Sequence, residues 1–394
     1  MPSVDRALVF ERQVEGPGTH VLLVGAGAYI YLVDGEEENL DAAEGMEQLD
    51  APPKSARALA DWFLDHFDNP DRPLASLALV ISAEKAVRYS HEKATVKPHN
   101  LPRGSVPEVR DAARAWESRA SSNRGNQVIF YFCGHGLFSG NSVLICRDFG
   151  KTMQTRFDGA VNFDGFLSAM STMQPDNQLF LIDACRTPAA IENYLIGRSS
   201  MGNSLLDPVP LQTRGGSTAK QSVHFATSSL ASSYGRDDGV SLYTDALLRA
   251  LGGGGAQNDL GWWVGTNGLQ TALSAYTTRI ARKYDVEQEP DRTRSGQFKV
   301  HKPACVEVPI YITCDPADVW AESFRIEARL GAAVSKAHAH DPASGACEEL
   351  EFPLQLASYE LAACFDPASP FAGGTSTVMA VPPEAPCRIS VSRR

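Results

Sequence analysis

No apolar run in this sequence approaches the roughly 18 residues needed to cross a bilayer. The amino terminus, MPSVDRALVFERQ, lacks the apolar core of a secretory leader, so a cytoplasmic location with reduced thiols is expected. Basic charge is also short. Lys and Arg number 36 against 47 Asp and Glu, a net charge of −11, and neither nucleic acid nor a membrane is an expected partner. Of the eight Cys, three fall in the first 302 residues and five in the last 92, none in C-x-x-C spacing. That pattern argues against structural zinc and no metal site is expected. The glycines of Gly25-Ala-Gly-Ala-Tyr29 lack the third partner of a dinucleotide loop, because position 30 is Ile. What remains, at 43% hydrophobic and 21% charged over 394 residues, is the composition of an ordinary globular chain long enough for two domains.

The chain is organised around Asn177 to Pro188, NQLFLIDACRTP. Gln178 to Ile182 is a short apolar run behind a Pro-Asp-Asn breaker, the pattern of a fully buried strand in a parallel sheet. Off its end come Asp183, Ala184, Cys185 and Arg186, where open α/β sheets place their chemistry. About fifty residues upstream a second strand, Gln127 to Cys133, runs directly into Gly134, His135 and Gly136. A lone Cys at a strand end is more often inert core than nucleophile, and a His in a Gly-His-Gly turn can simply cap a strand. Two buried strands that deliver a His and a Cys at equivalent ends form the skeleton of a nucleophile and its base. Gly134 and Gly136 leave room for a substrate backbone, with the Gly136 N–H aimed at a developing oxyanion. Cys133 and Cys146 read as packing residues.

Around this centre the pattern predicts strands at 20–28, 74–82, 142–146, 221–229 and 296–301, and helices at 55–67, 106–121, 164–173, 239–251 and 269–284. Asn162 supplies the cap of the third helix. The acid-rich stretch Asp34 to Asp50 reads as a solvated loop leading to a helix, without an EF-hand pattern. Residues 197–220 are rich in Gly, Ser, Pro and Thr and read as a linker, with Arg198 and Arg214 its exposed basic residues. A boundary at Lys302-Pro303 separates residues 1–302 from 303–394, where short strands at 306–312, 324–330, 352–356, 359–364, 378–380 and 388–391 suggest a small β-sandwich. His338, His340 and Cys347 in that part read as exposed loop residues.

Four stretches together resemble the caspase-like cysteine peptidases, nearest the metacaspase, paracaspase and bacterial caspase-like branch. They are His20 to Gly27, Phe130 to Gly136, Leu181 to Arg186, and Phe225 to Ser229 followed by Gly239 to Leu248. The resemblance covers roughly residues 18–300. It implies an α/β/α sandwich on a mostly parallel sheet, with the β-sandwich as an accessory domain. Cys185 would be the nucleophile and His135 the acid and base, with the N–H groups of Gly136 and Cys185 facing the oxyanion. Asp stands two residues before the nucleophile, as in members that cut after Arg or Lys, so Asp183 is expected to pair a substrate guanidinium, Arg in preference to Lys. Ser55 and Gly235 stand where that pattern supplies further acids; Asp237 and Asp238 are close enough to substitute, and Ser228 belongs to the groove wall. The resemblance further implies protein substrates, cleavage of the linker at Arg198 or Arg214 by the chain itself or by an upstream protease, and a zymogen. In bacteria such enzymes act in stress, cell-death or antiphage pathways. Some members respond to calcium, but no cofactor is expected from these residues. A monomer is expected. The alternative is a catalytically silent scaffold whose β-domain binds a partner.

Overall fold

The computed structural model describes residues 5–43, 45–138, 140–188, 201–210, 215–216, 218–228, 233, 235–236, 239–344 and 348–394. In chain order the elements begin with β1 (Leu8–Glu11), β2 (Thr19–Ala26), α1 (Leu40–Ala43), α2 (Ala51–Asp65), β3 (Leu74–Ser82), α3 (Val106–Ala120) and β4 (Gln127–Gly134). Then come β5 (Gly136–Phe138), β6 (Ser142–Ile145), β7 (Ala160–Asn162), α4 (Phe163–Met170), β8 (Asn177–Ala184) and β9 (Thr187–Pro188). The first part closes with β10 (Lys220–Phe225), α5 (Leu242–Arg249), β11 (Ala256–Asn258), β12 (Trp262–Gly265), α6 (Thr266–Lys283), β13 (Asp291–Ser295) and β14 (Lys299–His301).

A seven-stranded sheet of order β1-β3-β2-β4-β8-β10-β13 carries the fold, parallel from β3 to β10 and antiparallel at both edges. Strands β2, β3, β4 and β8 are buried at every position, because both faces of the sheet are covered. Alternation along each strand divides them between two cores. Val21, Leu23, Ile129, Tyr131, Leu179 and Leu181 pack with Leu59 and Phe63 of α2 and with α5 and α6. Leu22, Val24, Phe130, Phe132, Phe180 and Ile182 pack with Trp116 of α3 and with Phe163 and Phe166 of α4. This is the α/β/α sandwich on a mostly parallel sheet that the resemblance implies.

Several local expectations shift. Helix α2 begins at Ala51, four residues before the expected start, since Pro52 and Pro53 fit the first turn of a helix where no N–H partner is needed. Asn162 caps α4, accepting from the Gly165 N–H at 2.8 Å. The strand expected at 296–301 is present as β14, which joins β12 and β11 in a separate small sheet, and the central sheet ends on a further strand, Asp291–Ser295. Part of the expected linker is packed: Met201, Leu205 and Leu206 are buried, and Asn203 bridges to Val161. Arg198 and Arg214 lie outside the described residues.

Beyond His301 come β15 (Glu307–Asp315), β16 (Phe324–Leu330), β17 (Ala333–His340), β18 (Leu350–Gln355), β19 (Ser358–Phe365), β20 (Phe371–Met379), β21 (Ala385–Ser390) and β22 (Ser392–Arg393). They form sheets of order β18-β15-β21 and β17-β16-β19-β20-β22. Strand β17, AVSKAHAH, escapes sequence reading because it is exposed almost throughout and carries no apolar alternation. It removes His338 and His340 from the expected loop: His340 is buried, and its Nε2 donates to the Trp320 carbonyl at 2.9 Å. Cys347 lies outside the described residues. These strands pack against α5 and α6. Arg279 stacks over Tyr311, 3.5 Å from the ring centroid, and pairs with Glu384 and Glu349 at 2.8 Å each; Arg249 pairs with Glu351 at 2.7 Å. No helix among the described residues is long and apolar enough to cross a membrane.

Three buried histidines are held neutral by burial. His20 and His301 are lowered to about 4 and His224 to about 3. Burial dominates in each; Arg119 adds to it at His20, while hydrogen bonds to Gln270 and Asp68 oppose it at His224 and His301. Their folded values lie below the unfolded value near 6.5, so the unfolded chain binds more protons and stability is lost as pH falls from about 6.5 toward 4. Urea unfolding followed at about pH 7 and about pH 5 is expected to show a loss on the order of 2 kcal/mol per histidine. Equal stability at the two pH values would refute this assignment.

Candidate active site

The site is created by the register of two parallel strands. Cys133 of β4 lies opposite Asp183 of β8, and Gly134 opposite Ala184. The next residues along each strand, His135 and Cys185, therefore leave the same end of the sheet side by side. Beyond them the two strands run on together, with Leu137 of β5 beside Thr187 of β9. The glycines beside His135 are also required by the close approach of the chain itself. A Cβ on Gly136 would stand 2.4 Å from the Cys185 carbonyl oxygen, and one on Gly134 would stand 2.9 Å from both the Ala26 carbonyl and the Tyr29 hydroxyl.

His135 is half-buried. Its Nε2 lies 2.7 Å from the Glu47 carbonyl oxygen, which only accepts, so the proton sits on Nε2 and the neutral ring keeps its lone pair on Nδ1. Burial lowers the imidazole below its ordinary value, and the bond to Glu47 partly restores it. The backbone N–H of His135 donates to the Tyr29 hydroxyl at 3.0 Å, and the Tyr29 ring lies against the imidazole, centroids 5.1 Å apart.

Burial raises the Cys185 thiol above its ordinary value; the Ser233 N–H, donated to the sulfur, works against that, and the Asp183 carboxylate adds to it. The N–H donates to Sγ at 3.2 Å, and Sγ lies 3.4 Å from the Ser233 carbonyl. The resting pair is thus a neutral thiol and a neutral imidazole.

Asp183 is fully buried among hydroxyl donors. Its Oδ2 accepts from Ser241, from Thr244 at 2.9 Å, from Tyr131 at 3.3 Å and from the Cys133 thiol at 3.3 Å, whereas Oδ1 accepts from the Ser233 hydroxyl at 3.1 Å. Burial pushes the carboxyl up, and the Ser241 and Thr244 hydroxyls draw it back. Ser55 is buried close by and accepts from the Ser241 N–H at 3.0 Å.

His135, Cys185 and Asp183 all line one cavity of about 370 Å³, with Glu47, Asp50 and Arg236 among its other walls. The Arg236 guanidinium is turned to Asp245 at 3.4 Å and to the Tyr284 hydroxyl at 3.2 Å. Ser228 is exposed after β10 and is not among the residues lining the cavity. Asp237 and Asp238 lie outside the described residues. In the acid-rich stretch, Glu36 is paired with Arg147 at 2.8 Å and Arg103 at 3.2 Å. Sequence reasoning missed Glu47, whose role is played by a backbone carbonyl that carries no residue signature, and Ser233, Ser241 and Thr244, which lie far along the chain from Asp183. Tyr29 did carry a signal, in Gly25-Ala-Gly-Ala-Tyr29, but not one that points to a histidine.

Residues 44–300 match the family model described as Caspase domain. A curated relative, "Uncharacterized protein y4kE" of Sinorhizobium fredii (strain NBRC 101917 / NGR234), is 28% identical over 218 residues, half of this chain. The match spans 58% of that protein's length. Among solved structures, caspase-1 from Spodoptera frugiperda is similar at 12% identity and a TM-score of 0.41, covering 77% of this chain and 97% of that one. Protein GSU0716 from Geobacter sulfurreducens is similar at 14% identity and the same TM-score, covering 73% of this chain and 98% of that one. With the caspase-domain match spanning well over half of its residues, and a His and a Cys delivered together at the end of its central sheet, the chain belongs to the caspase-domain family of cysteine peptidases.

Proposed function

We propose that the chain is an endopeptidase that cleaves protein substrates after basic residues, Arg in preference to Lys. The observation that carries this reading is the convergence of Cys185, His135 and Asp183 on one cavity. Sγ of Cys185 attacks the scissile carbonyl carbon, and its proton passes to His135 Nδ1. The imidazolium then protonates the leaving amine as the C–N bond breaks, and water reverses the steps to release the acid. The N–H groups of Gly136 and Cys185 stabilise the oxyanion.

Charge supports the basic preference. The cavity walls hold Glu47, Asp50 and Asp183 against one guanidinium, that of Arg236, already engaged by Asp245. Among the described residues, Asp183 Oδ2 is crowded by four donors while Oδ1 receives only the Ser233 hydroxyl, which a substrate guanidinium would displace. Asp237 and Asp238 stay in this reading on the sequence resemblance. Activation is by a cut at Arg214 or Arg198, made by the chain itself or by another protease. Between the two sites Met201, Leu205 and Leu206 are buried, so a cut at either leaves this segment held by its packing. A role in stress, cell-death or antiphage signalling rests on the resemblance alone. One observation favours the second reading, a silent scaffold: Ser233 engages both sides of a thiol that burial keeps protonated.

Labelling with a peptidyl-Arg chloromethyl ketone, with and without calcium, separates the two. One adduct at Cys185, absent in Cys185→Ala and His135→Ala, is expected; no adduct under any condition would leave the scaffold reading standing. On fluorogenic peptides Asp183→Asn should lose about 2–3 kcal/mol of transition-state binding to Arg substrates, roughly 30- to 150-fold in kcat/KM. Peptides with Asp before the scissile bond should be poor substrates for wild type, and their preference over Arg would defeat the assignment of Asp183. Peptide mapping of purified protein should find fragments ending at Arg198 or Arg214 in wild type and not in Cys185→Ala. The same fragments in both would assign the cut to another protease.

A further inference from the structure

The orientation of His135 depends on a backbone carbonyl, and backbone segments with no regular structure need something to hold them. Glu47 lies in a short stretch between α1 and α2, and its own side chain is exposed. The neighbouring Gln48 supplies the hold. Its Oε1 accepts from the Tyr29 N–H at 2.7 Å, and its Nε2 donates to the Tyr29 carbonyl at 3.2 Å and the Val33 carbonyl at 2.8 Å. A side-chain amide thus pairs with the Tyr29 backbone as a neighbouring strand would. Backbone bonds flank it, from the Leu49 N–H to the Gly27 carbonyl at 2.8 Å and from the Val33 N–H to the Met46 carbonyl at 3.1 Å.

Tyr29 is therefore engaged at three points. Its backbone holds Gln48, its hydroxyl accepts from the His135 N–H while donating to the Ala26 carbonyl at 2.6 Å, and its ring lies against the imidazole. It is 1% exposed, so its position is set by the core. Among the described residues of this assembly, the Glu47 carbonyl and the Tyr29 ring contact the imidazole, and Gln48 fixes where the Glu47 carbonyl stands.

We propose that Gln48 and Tyr29 form a clamp that positions the general base, holding the Glu47 carbonyl so that His135 keeps its proton on Nε2 and offers Nδ1 to Cys185. Both are positioning residues. The inference rests on the peptidase reading for its kinetic consequence but not for its structural one. Gln48 borders the cavity, but its amide is taken up by the backbone of Tyr29 and Val33, and Tyr29 is buried, so the clamp is expected to bear on kcat more than on KM.

The test compares wild type, Gln48→Met and Tyr29→Phe, with His135→Gln used to assign the His135 signals. Gln48→Met keeps the side-chain length and removes all three hydrogen bonds; Tyr29→Phe keeps the ring and removes the acceptor for the His135 N–H. In protein labelled with ¹⁵N-histidine, the imidazole ¹H–¹⁵N spectrum of wild type should show His135 protonated on Nε2. Gln48→Met should lose that single-tautomer signature, with kcat on an Arg peptide falling on the order of 10- to 100-fold and KM changing by less than about twofold. Tyr29→Phe should lower kcat in the same direction and speed amide exchange at His135. If Gln48→Met does not fold, shown by loss of its near-ultraviolet circular dichroism, Tyr29→Phe decides. Unchanged His135 spectra and unchanged kcat in the folded variants would overturn the clamp while leaving the peptidase reading intact. A wild type that stays inactive after its linker has been cut, with the expected spectral change, would overturn the peptidase reading and leave the clamp.

Discussion

Register between two parallel strands is the constraint on which the rest of this molecule depends. Cys133 faces Asp183 and Gly134 faces Ala184, so the residue that follows each strand emerges beside its counterpart. A slip of one residue would turn every side chain of β8 to the other core and carry Asp183 away from its hydroxyl donors. The register is secured because both faces are buried: Ile129, Tyr131, Leu179 and Leu181 belong to one core, and Phe130, Phe132, Phe180 and Ile182 to the other. The close approach at Gly136, where a side chain would meet the Cys185 carbonyl, extends that pairing past the dyad.

The electrostatic state of the site follows from the same burial. Taken out of water, the thiol of Cys185 and the imidazole of His135 both favour their neutral forms, while the carboxyl of Asp183 is kept from isolation by hydroxyls and a thiol rather than by a cation. Oδ2 of Asp183 has three hydroxyls and the Cys133 thiol as partners, and its Oδ1 has the Ser233 hydroxyl. The C-terminal sheets reach this region indirectly. Glu351 pairs with Arg249, Arg249 with Asp245, and Asp245 with Arg236 on the cavity wall. Each step is a partly exposed pair, and such pairs contribute little to stability one at a time.

The legible parts of the chain were those written in local pattern. The apolar runs at β2, β3, β4 and β8 and the Asn162 cap depend on neighbours within a few residues, and so did His135 and Cys185, each placed directly after such a run. Strand β17 was illegible because its exposed Ala-rich sequence lacks alternation, and β13 because Asp291–Ser295 is a polar edge strand whose pairing partner, β10, lies about seventy residues earlier. The linker was read from composition, yet Met201, Leu205 and Leu206 within it find a buried place that composition does not report.

By itself the sequence determined the element types around the centre, the emergence of a His and a Cys from two buried strands, and the acid two residues before the Cys, because each is a matter of short-range periodicity and order along the chain. The tertiary structure alone decided what stands around them. Glu47 and Tyr29 meet His135 from a distance of about ninety to one hundred residues, and Ser233, Ser241 and Thr244 meet Asp183 from fifty to sixty. Contacts of that separation are set by how the strands are ordered in the sheet and which loops leave the same end, and a backbone carbonyl or a serine in a loop leaves no pattern in a sequence to announce it.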